Sequence, residues 1–261
     1  MPVIAVKPDT LGAQNRHFVQ AELRKPVFLN SVPKSGSHLL RNIVRMFVPS
    51  QQQYQAQFIQ WGNLQEHRAA FDLAAPKLSW GHLFFSDGSA IETAGVRKIL
   101  LVRDPYDWVL ARARFFVSEE FKGNVEHLKS GSLTVAQLLN LMIVGIRNNA
   151  PSLYDVYYNN AAAWLGTDVY VVRYEDILAA LADIDSPSGA EFFADLLTAC
   201  GIAKPVDWQA RVLVGADPKH SATSRQNLTS ADIAFPAQLP EMQKRLADLS
   251  LPGLRAMLGY Q

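Results

Sequence analysis

The chain has 261 residues, 49% of them hydrophobic and 19% charged, the proportions of an ordinary globular protein that buries about three-quarters of its unfolded surface. Its 25 Lys and Arg against 24 Asp and Glu leave a formal charge of +1, which excludes a global attraction to nucleic acid or to an anionic membrane, so any anion site must be local. A lone cysteine, Cys200, excludes an internal disulfide, and its apolar helical setting over residues 192–199 suits a small buried hydrophobe.

Residues 1–9 lack the basic start and the long apolar run of a secretory signal, and a cytoplasmic location is expected. Residues 1–25 carry no strong period and read as an irregular or partly helical lead-in. The first clear element is Val27-Phe28-Leu29-Asn30-Ser31-Val32, a buried strand closed by Pro33 and Gly36. Leu39, Leu40, Ile43, Val44 and Phe47 then recur at helical spacing until Pro49. Residues 51–75, rich in Gln and Ala with scattered aromatics, suggest a helix or a lid. A short strand around Leu78-Ser79-Trp80 ends at Gly81-His82, and Lys98-Ile99-Leu100-Leu101-Val102 is apolar on both faces, as a central parallel strand must be. A helix begins at Pro105, the first-turn position that proline prefers, and runs through Trp108, Val109 and Phe116. Helical patterns follow at 133–148 and 153–164, then a two-sided apolar strand Val169-Tyr170-Val171-Val172, a loop at 183–189, and helices at 190–200 and 240–258. The most apolar stretch, 133–146, is interrupted by Gln137 and Asn140 and is too short to span a bilayer.

Strands alternating with helices imply right-handed crossovers and an α/β fold: a central, mainly parallel sheet flanked by helices, with ligands at the carboxyl ends of the strands. No repeat or linker divides the chain, so one domain over residues 1–261 is expected.

Two loops at such strand ends carry chemistry. In Pro33-Lys34-Ser35-Gly36-Ser37-His38, small residues, one lysine and the amides of a helix N-terminus make a P-loop-like phosphate site after the first strand. An ordinary strand-to-helix turn with Ser37 as N-cap explains the same residues, and the Walker A spacing of ATP and GTP sites is absent. In Arg103-Asp104-Pro105-Tyr106-Asp107, the arginine can fork onto a second phosphate while Asp104 or Asp107 holds it or caps the helix. An Arg–Asp pair that merely closes the strand end is the alternative. Two anion-competent loops at the ends of two parallel strands argue for one shared site.

These residues resemble the PAPS-dependent sulfotransferases, PAPS being 3′-phosphoadenosine 5′-phosphosulfate. Pro33-Lys34-Ser35-Gly36-Ser37-His38-Leu39-Leu40 is similar to that family's 5′-phosphosulfate loop, Pro-Lys-Ser-Gly-Thr-Thr-Trp-Leu, and Arg103-Asp104-Pro105-Tyr106-Asp107 to its 3′-phosphate segment. Trp80-Gly81-His82-Leu83 resembles the Lys-Thr-His-Leu segment that holds the catalytic histidine, Arg173-Tyr174-Glu175-Asp176 the strand end near the adenine, and Ser224-Arg225-Gln226 echoes the late Arg-Lys-Gly clamp. The chain departs from the pattern at Leu39, where the family stacks a tryptophan on adenine, at Ala111, where it has a serine, and at Trp80, where it has a lysine. Arg112 is a candidate to replace the lost serine hydroxyl.

The resemblance implies transfer of a sulfuryl group from PAPS to a hydroxyl or amine of a small acceptor, without a metal. Lys34 and His82 take the catalytic roles, His82 as general base, with His38 its rival from inside the anion loop, where contact with phosphate is the other reading. Lys34, Ser35, Gly36, Ser37, His38, Arg103, Tyr174 and Arg225 hold the cofactor. Aromatics at 54–71, Phe84-Phe85 and Phe115-Phe116 are candidates for an apolar pocket, which favours a hydrophobic acceptor over a polysaccharide; ordinary core packing explains most of them equally. A homodimer is compatible with this reading, and nucleic acid is not among the expected partners. Two rivals stand beside it: a small-molecule kinase with a degenerate phosphate loop, and a catalytically idle nucleotide binder in which the changes at Leu39, Trp80 and Ala111 have removed turnover.

Overall fold

The computed structural model describes residues 3–4, 11–55, 58–123, 125–147, 149–220 and 233–261. Strand β1 (Val3–Ile4) pairs antiparallel with β6 (Phe121–Lys122), apart from the main sheet. That main sheet has five strands, β2 (Val27–Ser31), β3 (Ile59–Gln60), β4 (Leu78–His82), β5 (Arg97–Val102) and β7 (Val169–Arg173), all parallel in the order β3-β4-β2-β5-β7. The helices are α1 (Leu11–Asn15), α2 (Ser37–Arg45), α3 (Asp87–Glu92), α4 (Pro105–Phe116), α5 (Val135–Val144), α6 (Leu153–Asn160), α7 (Tyr174–Ala182), α8 (Pro187–Ala199), α9 (Trp208–Ala216), α10 (Glu241–Ser250) and α11 (Leu254–Met257).

Because side chains alternate along a strand, β2 and β5 feed two cores. Phe28, Leu100 and Val102 join α4, α5, α6 and α10 on one face, whereas Val27, Leu29, Ile99 and Leu101 join α2, α7, α8 and α9 on the other. The expected α/β sheet is therefore present, with both faces covered.

The helix after β2 and the helix after β5 consequently pack on opposite faces of the sheet. A crevice opens between the ends of two neighbouring strands wherever consecutive crossovers diverge in this way. The register runs from Val27↔Arg97 to Ser31↔Leu101, and the Val32 amide donates to Leu101 O at 3.0 Å. The residues after Ser31 and after Val102 thus leave the sheet side by side.

Several elements differ from expectation. β7 is an edge strand, and both Tyr170 and Val171 are 37% exposed, so its apolar run is not buried on two sides. Pro252, which lacks an amide, and Gly253 at φ +74 split the helix expected over 240–258 into α10 and α11. Helices α7 and α9 occupy stretches for which no element was expected, and residues 61–71 wind as a 3₁₀ helix. Cys200 is buried, with its thiol pushed up to about 12 by burial, as its apolar setting implied.

One polar cluster holds the carboxyl ends of β2 and β4 together. Asn30, 2% exposed, accepts from the amides of Ser31 (3.0 Å) and Leu83 (2.9 Å) and donates to Leu83 O at 3.1 Å. Asn160 and Trp164 Nε1 also donate to Leu83 O, at 2.9 and 3.0 Å. The residue that follows His82 is therefore tied down from three sides. Asn30→Ala leaves the Leu83 amide unpaired inside the protein and is expected to lower unfolding stability by about 2–4 kcal/mol, measured in urea. A loss below about 0.5 kcal/mol, the range of an ordinary surface substitution, would contradict this reading of the cluster.

Candidate active site

The loop after β2 is held in an unusual backbone shape. Lys34, at φ +70, is the only non-glycine residue with a positive φ among the described residues, a left-handed conformation that costs on the order of 1–2 kcal/mol. Gly36 follows at φ +94 as the N-cap of α2, and a Cβ there would lie 2.4 Å from Tyr174 Cδ2. Only glycine serves at that position, on grounds of both conformation and space. Ser37 is thus not the N-cap; it is the first residue of α2, and its Oγ accepts from Ser31 Oγ at 2.8 Å. The amides of the first turn of α2 have no intrahelical acceptor and carry the positive end of the helix dipole.

Two hydrogen bonds tie the loops to the helices beneath them. Trp108 Nε1 in α4 donates to Pro33 O at 2.6 Å, and the Tyr157 hydroxyl in α6 donates to Arg103 O at 2.9 Å. The two rings meet edge to face with centroids 5.3 Å apart. Both side chains are buried, so the two loops share one packed floor.

Lys34 Nζ lies 3.2 Å from the centroid of Phe115 and pairs with no carboxylate among the described residues. Burial, then the nearby Arg103 charge, pushes its ammonium down from 10.5 to about 7. The Arg103 guanidinium lies 4.6 Å from the Tyr174 ring centroid, and its Nε is buried without a partner. Ser35 Oγ is buried beside the Tyr157 hydroxyl. Asp104 does not hold Arg103. It caps α4 through the Tyr106 amide (2.9 Å) and takes the fork of Arg255 at 3.2 and 2.9 Å.

His82 ends β4 next to this loop. Its Nδ1 lies 2.8 Å from Ser31 O and 3.1 Å from Ser31 Oγ, while its ring stacks on Phe58 at 4.9 Å and 18°. A carbonyl can only accept, so the short contact assigns the proton to Nδ1 and leaves the lone pair on Nε2. Burial first, and Lys34 as a smaller cause, lowers the imidazole to about 4 against the opposing bond to Ser31. His38 lies against the other side of the same cluster, 5.3 Å from Phe58, and burial with the charges of Arg41, Lys34 and His82 takes it down to about 3.

The structure therefore brings together Lys34, Ser35, Gly36, Ser37, His38, His82, Arg103 and Tyr174 at the carboxyl ends of β2, β4, β5 and β7. Arg225 lies outside the described residues. Arg112 is turned away from the site: it donates to Met142 O (2.9 Å) and Pro151 O (2.6 Å), stacks beside Trp108 and Phe116, and replaces no lost hydroxyl. Of the aromatic groups named from sequence, Phe58 and Phe115 reach the site. Phe71 packs on Phe28, Phe85 on Trp164 and Phe116 on Phe121.

Trp108, Tyr157 and Ser31 were not anticipated as site residues. The one available signal was Asn30-Ser31, two polar residues interrupting an otherwise apolar buried strand. No group of three or more His, Cys, Asp or Glu among the described residues is placed to hold a metal ion, and no helix among them is long and apolar enough to cross a membrane.

No protein-family model matches the chain, and no curated protein matches it in sequence. Among solved structures, mouse sulfotransferase SULT7A1 complexed with PAP superposes with a TM-score of 0.59 at 15% identity, covering 96% of this chain and 93% of that one. Retinol dehydratase in complex with retinol and PAP gives 0.53 at 11% identity, covering 90% and 82%. The same enzyme in complex with androsterone and inactive cofactor PAP gives 0.52 at 12% identity, covering 88% and 80%. The chain has the sulfotransferase fold.

The state of Lys34 has a measurable consequence. Between pH 7 and 10.5 the unfolded chain binds a proton at this residue that the folded chain has released, so the lysine weighs against the fold below pH 7 and that burden lifts as pH rises. Lys34→Met is expected to melt higher than the native chain at pH 6, and the difference is expected to shrink from pH 7 towards 10. A difference constant across that range would contradict the buried, proton-shedding lysine.

Proposed function

We propose that the protein is a sulfotransferase that uses PAPS as donor and a small, hydrophobic alcohol, phenol or amine as acceptor. The observation that carries this reading is the pairing of two cations, Lys34 and Arg103, that have no carboxylate partner among the described residues, at neighbouring strand ends, beside a histidine whose Nε2 carries the lone pair. The buried Arg103 Nε fits a polyanionic nucleotide, because it has hydrogen-bonding capacity that no described residue uses.

When bound, PAPS supplies an activated sulfuryl group carried on a phosphate leaving group. The amides of the loop and Lys34 would hold the 5′-phosphosulfate. Arg103 would hold the 3′-phosphate, and Tyr174, whose ring lies against that arginine, would offer an aromatic face to the adenosine. Sulfuryl transfer asks little covalent work of a protein and much charge neutralisation where the leaving oxygen becomes negative. Lys34 suits that task because a dianion beside it raises its proton affinity again, so it binds as a cation near neutral pH.

His82 enters the reaction uncharged at neutral pH, with Ser31 holding the imidazole by its Nδ1–H. Nε2 takes the proton of the acceptor hydroxyl as its oxygen bonds to sulfur and the bond from sulfur to the leaving phosphate oxygen breaks. Phe58 and Phe115 border these groups and favour an apolar acceptor.

Two measurements test the reading. In a thermal-shift assay, 3′-phosphoadenosine 5′-phosphate (PAP) at 100 times its dissociation constant is expected to stabilise the native protein by about 2.7 kcal/mol, and Lys34→Ala or Arg103→Ala is expected to abolish most of the shift. Stabilisation by ATP but not by PAP would establish the kinase alternative instead. His82→Ala is expected to keep PAP binding and slow sulfuryl transfer by roughly 10²–10⁴-fold. Turnover unchanged in that variant would remove His82 from the role of base.

A further inference from the structure

The carboxyl-terminal residues grip both sides of the arginine turn. Arg255 in α11 forks onto Asp104 at 3.2 and 2.9 Å, and its guanidinium lies 4.2 Å from the Tyr106 ring centroid. The Tyr106 hydroxyl lies 2.9 and 2.8 Å from the two carboxylate oxygens of Asp248 in α10. Farther on, the Tyr260 hydroxyl donates to Glu175 Oε2 at 2.7 Å, and the other oxygen of that carboxylate accepts the Asp104 amide at 3.1 Å. Arg173, at the end of β7, donates to Gly259 O at 2.6 Å and lies over the Tyr260 ring. One chain segment therefore fastens the residue after Arg103, the residue after Tyr174 and the last residue of β7 to one another.

We infer that residues 254–260 form a strap that sets the position of the Arg103 guanidinium, with Arg255 and Tyr260 as positioning residues for recognition of the nucleotide 3′-phosphate. The inference rests on the donor reading above and deepens it. The geometry favours this role over simple stapling of the terminus, because the contacts converge on Asp104 and Glu175. These residues directly follow the arginine and the aromatic ring on which its guanidinium lies. Asp104 is in turn occupied by the strap, which keeps that carboxylate from competing for Arg103. Tyr157 fixes the Arg103 carbonyl from the opposite side. Both polar groups of the peptide that follows Arg103 are held, its carbonyl by Tyr157 and its amide by Glu175, while the arginine side chain keeps a buried donor that no described residue uses.

The test uses the full chain and two nucleotides, PAP and adenosine 5′-monophosphate, which lacks the 3′-phosphate. Tyr260→Phe removes one hydroxyl and keeps the ring; Arg255→Gln removes the fork, and Arg255→Lys restores its charge. Tyr260→Phe and Arg255→Gln are each expected to weaken PAP binding about 5- to 10-fold while the affinity for the monophosphate changes less than about twofold, with Arg255→Lys in between. Equal weakening of both nucleotides would mean a general loss of structure and would overturn the positioning role, as would unchanged PAP affinity. Amide exchange at Asp104, measured without nucleotide, separates this claim from the one beneath it. Tyr260→Phe is expected to speed that exchange, and unchanged exchange overturns the strap whatever the native protein binds. A native protein that binds PAP no more tightly than the monophosphate overturns the donor reading, and the strap's part in phosphate recognition falls with it.

Discussion

Ser31 sits opposite Leu101, and the Val32 amide reaches back to the carbonyl of Leu101; from this register of two adjacent parallel strands the rest of the site follows. A one-residue slip would send every side chain of β2 to the other face, exchanging the residues that meet α2 with those that meet α4. With the register held, the chain leaves both strands at the same level, and the diverging helices leave the crevice between them uncovered by either. Trp108 and Tyr157 then fasten each exit to the core by a hydrogen bond to a carbonyl, Pro33 in one loop and Arg103 in the other. The strained backbone at Lys34 is tolerable because its neighbours are held so closely.

Burial governs the electrostatics of the crevice. It lowers Lys34 to about 7, His82 to about 4 and His38 to about 3. The Arg103 guanidinium is thereby set beside a lysine whose charge depends on what occupies the site, next to two imidazoles that are neutral near pH 7. Of the two histidines, His82 has its tautomer set by a hydrogen bond to a main-chain carbonyl, and His38 makes no such bond among the described residues. This distinction favours it over His38 as the group that accepts a proton.

The sheet was legible in the sequence wherever burial is two-sided. Residues 27–31 and 98–102 are unbroken apolar runs apart from Asn30, Ser31 and Lys98, and they became the two central strands. The run 169–172 looked the same but lies at an edge, because local composition does not say which strand finishes the sheet. Lys34, Gly36 and Arg103 were legible because each lies in a short motif directly after an apolar strand, 33–38 after one and 103–107 after the other. Trp108, Tyr157 and the strap at 254–260 were not, since each acts across 54 to 151 positions of chain and looks from its own neighbours like an ordinary core or surface residue. Arg112 shows the opposite error. It is adjacent in sequence to the expected phosphate ligand, yet it faces the α5–α6 turn, because one helical step turns the side chain by about 100°.

The measurement closest to the central claim is a crystal structure of the full chain with PAP. The account predicts the 5′-phosphate among the amides of residues 34–38 within hydrogen-bonding distance of Lys34 Nζ, with the 3′-phosphate on the Arg103 guanidinium. A nucleotide bound elsewhere, or bound in this crevice with its 3′-phosphate turned away from Arg103, would contradict it.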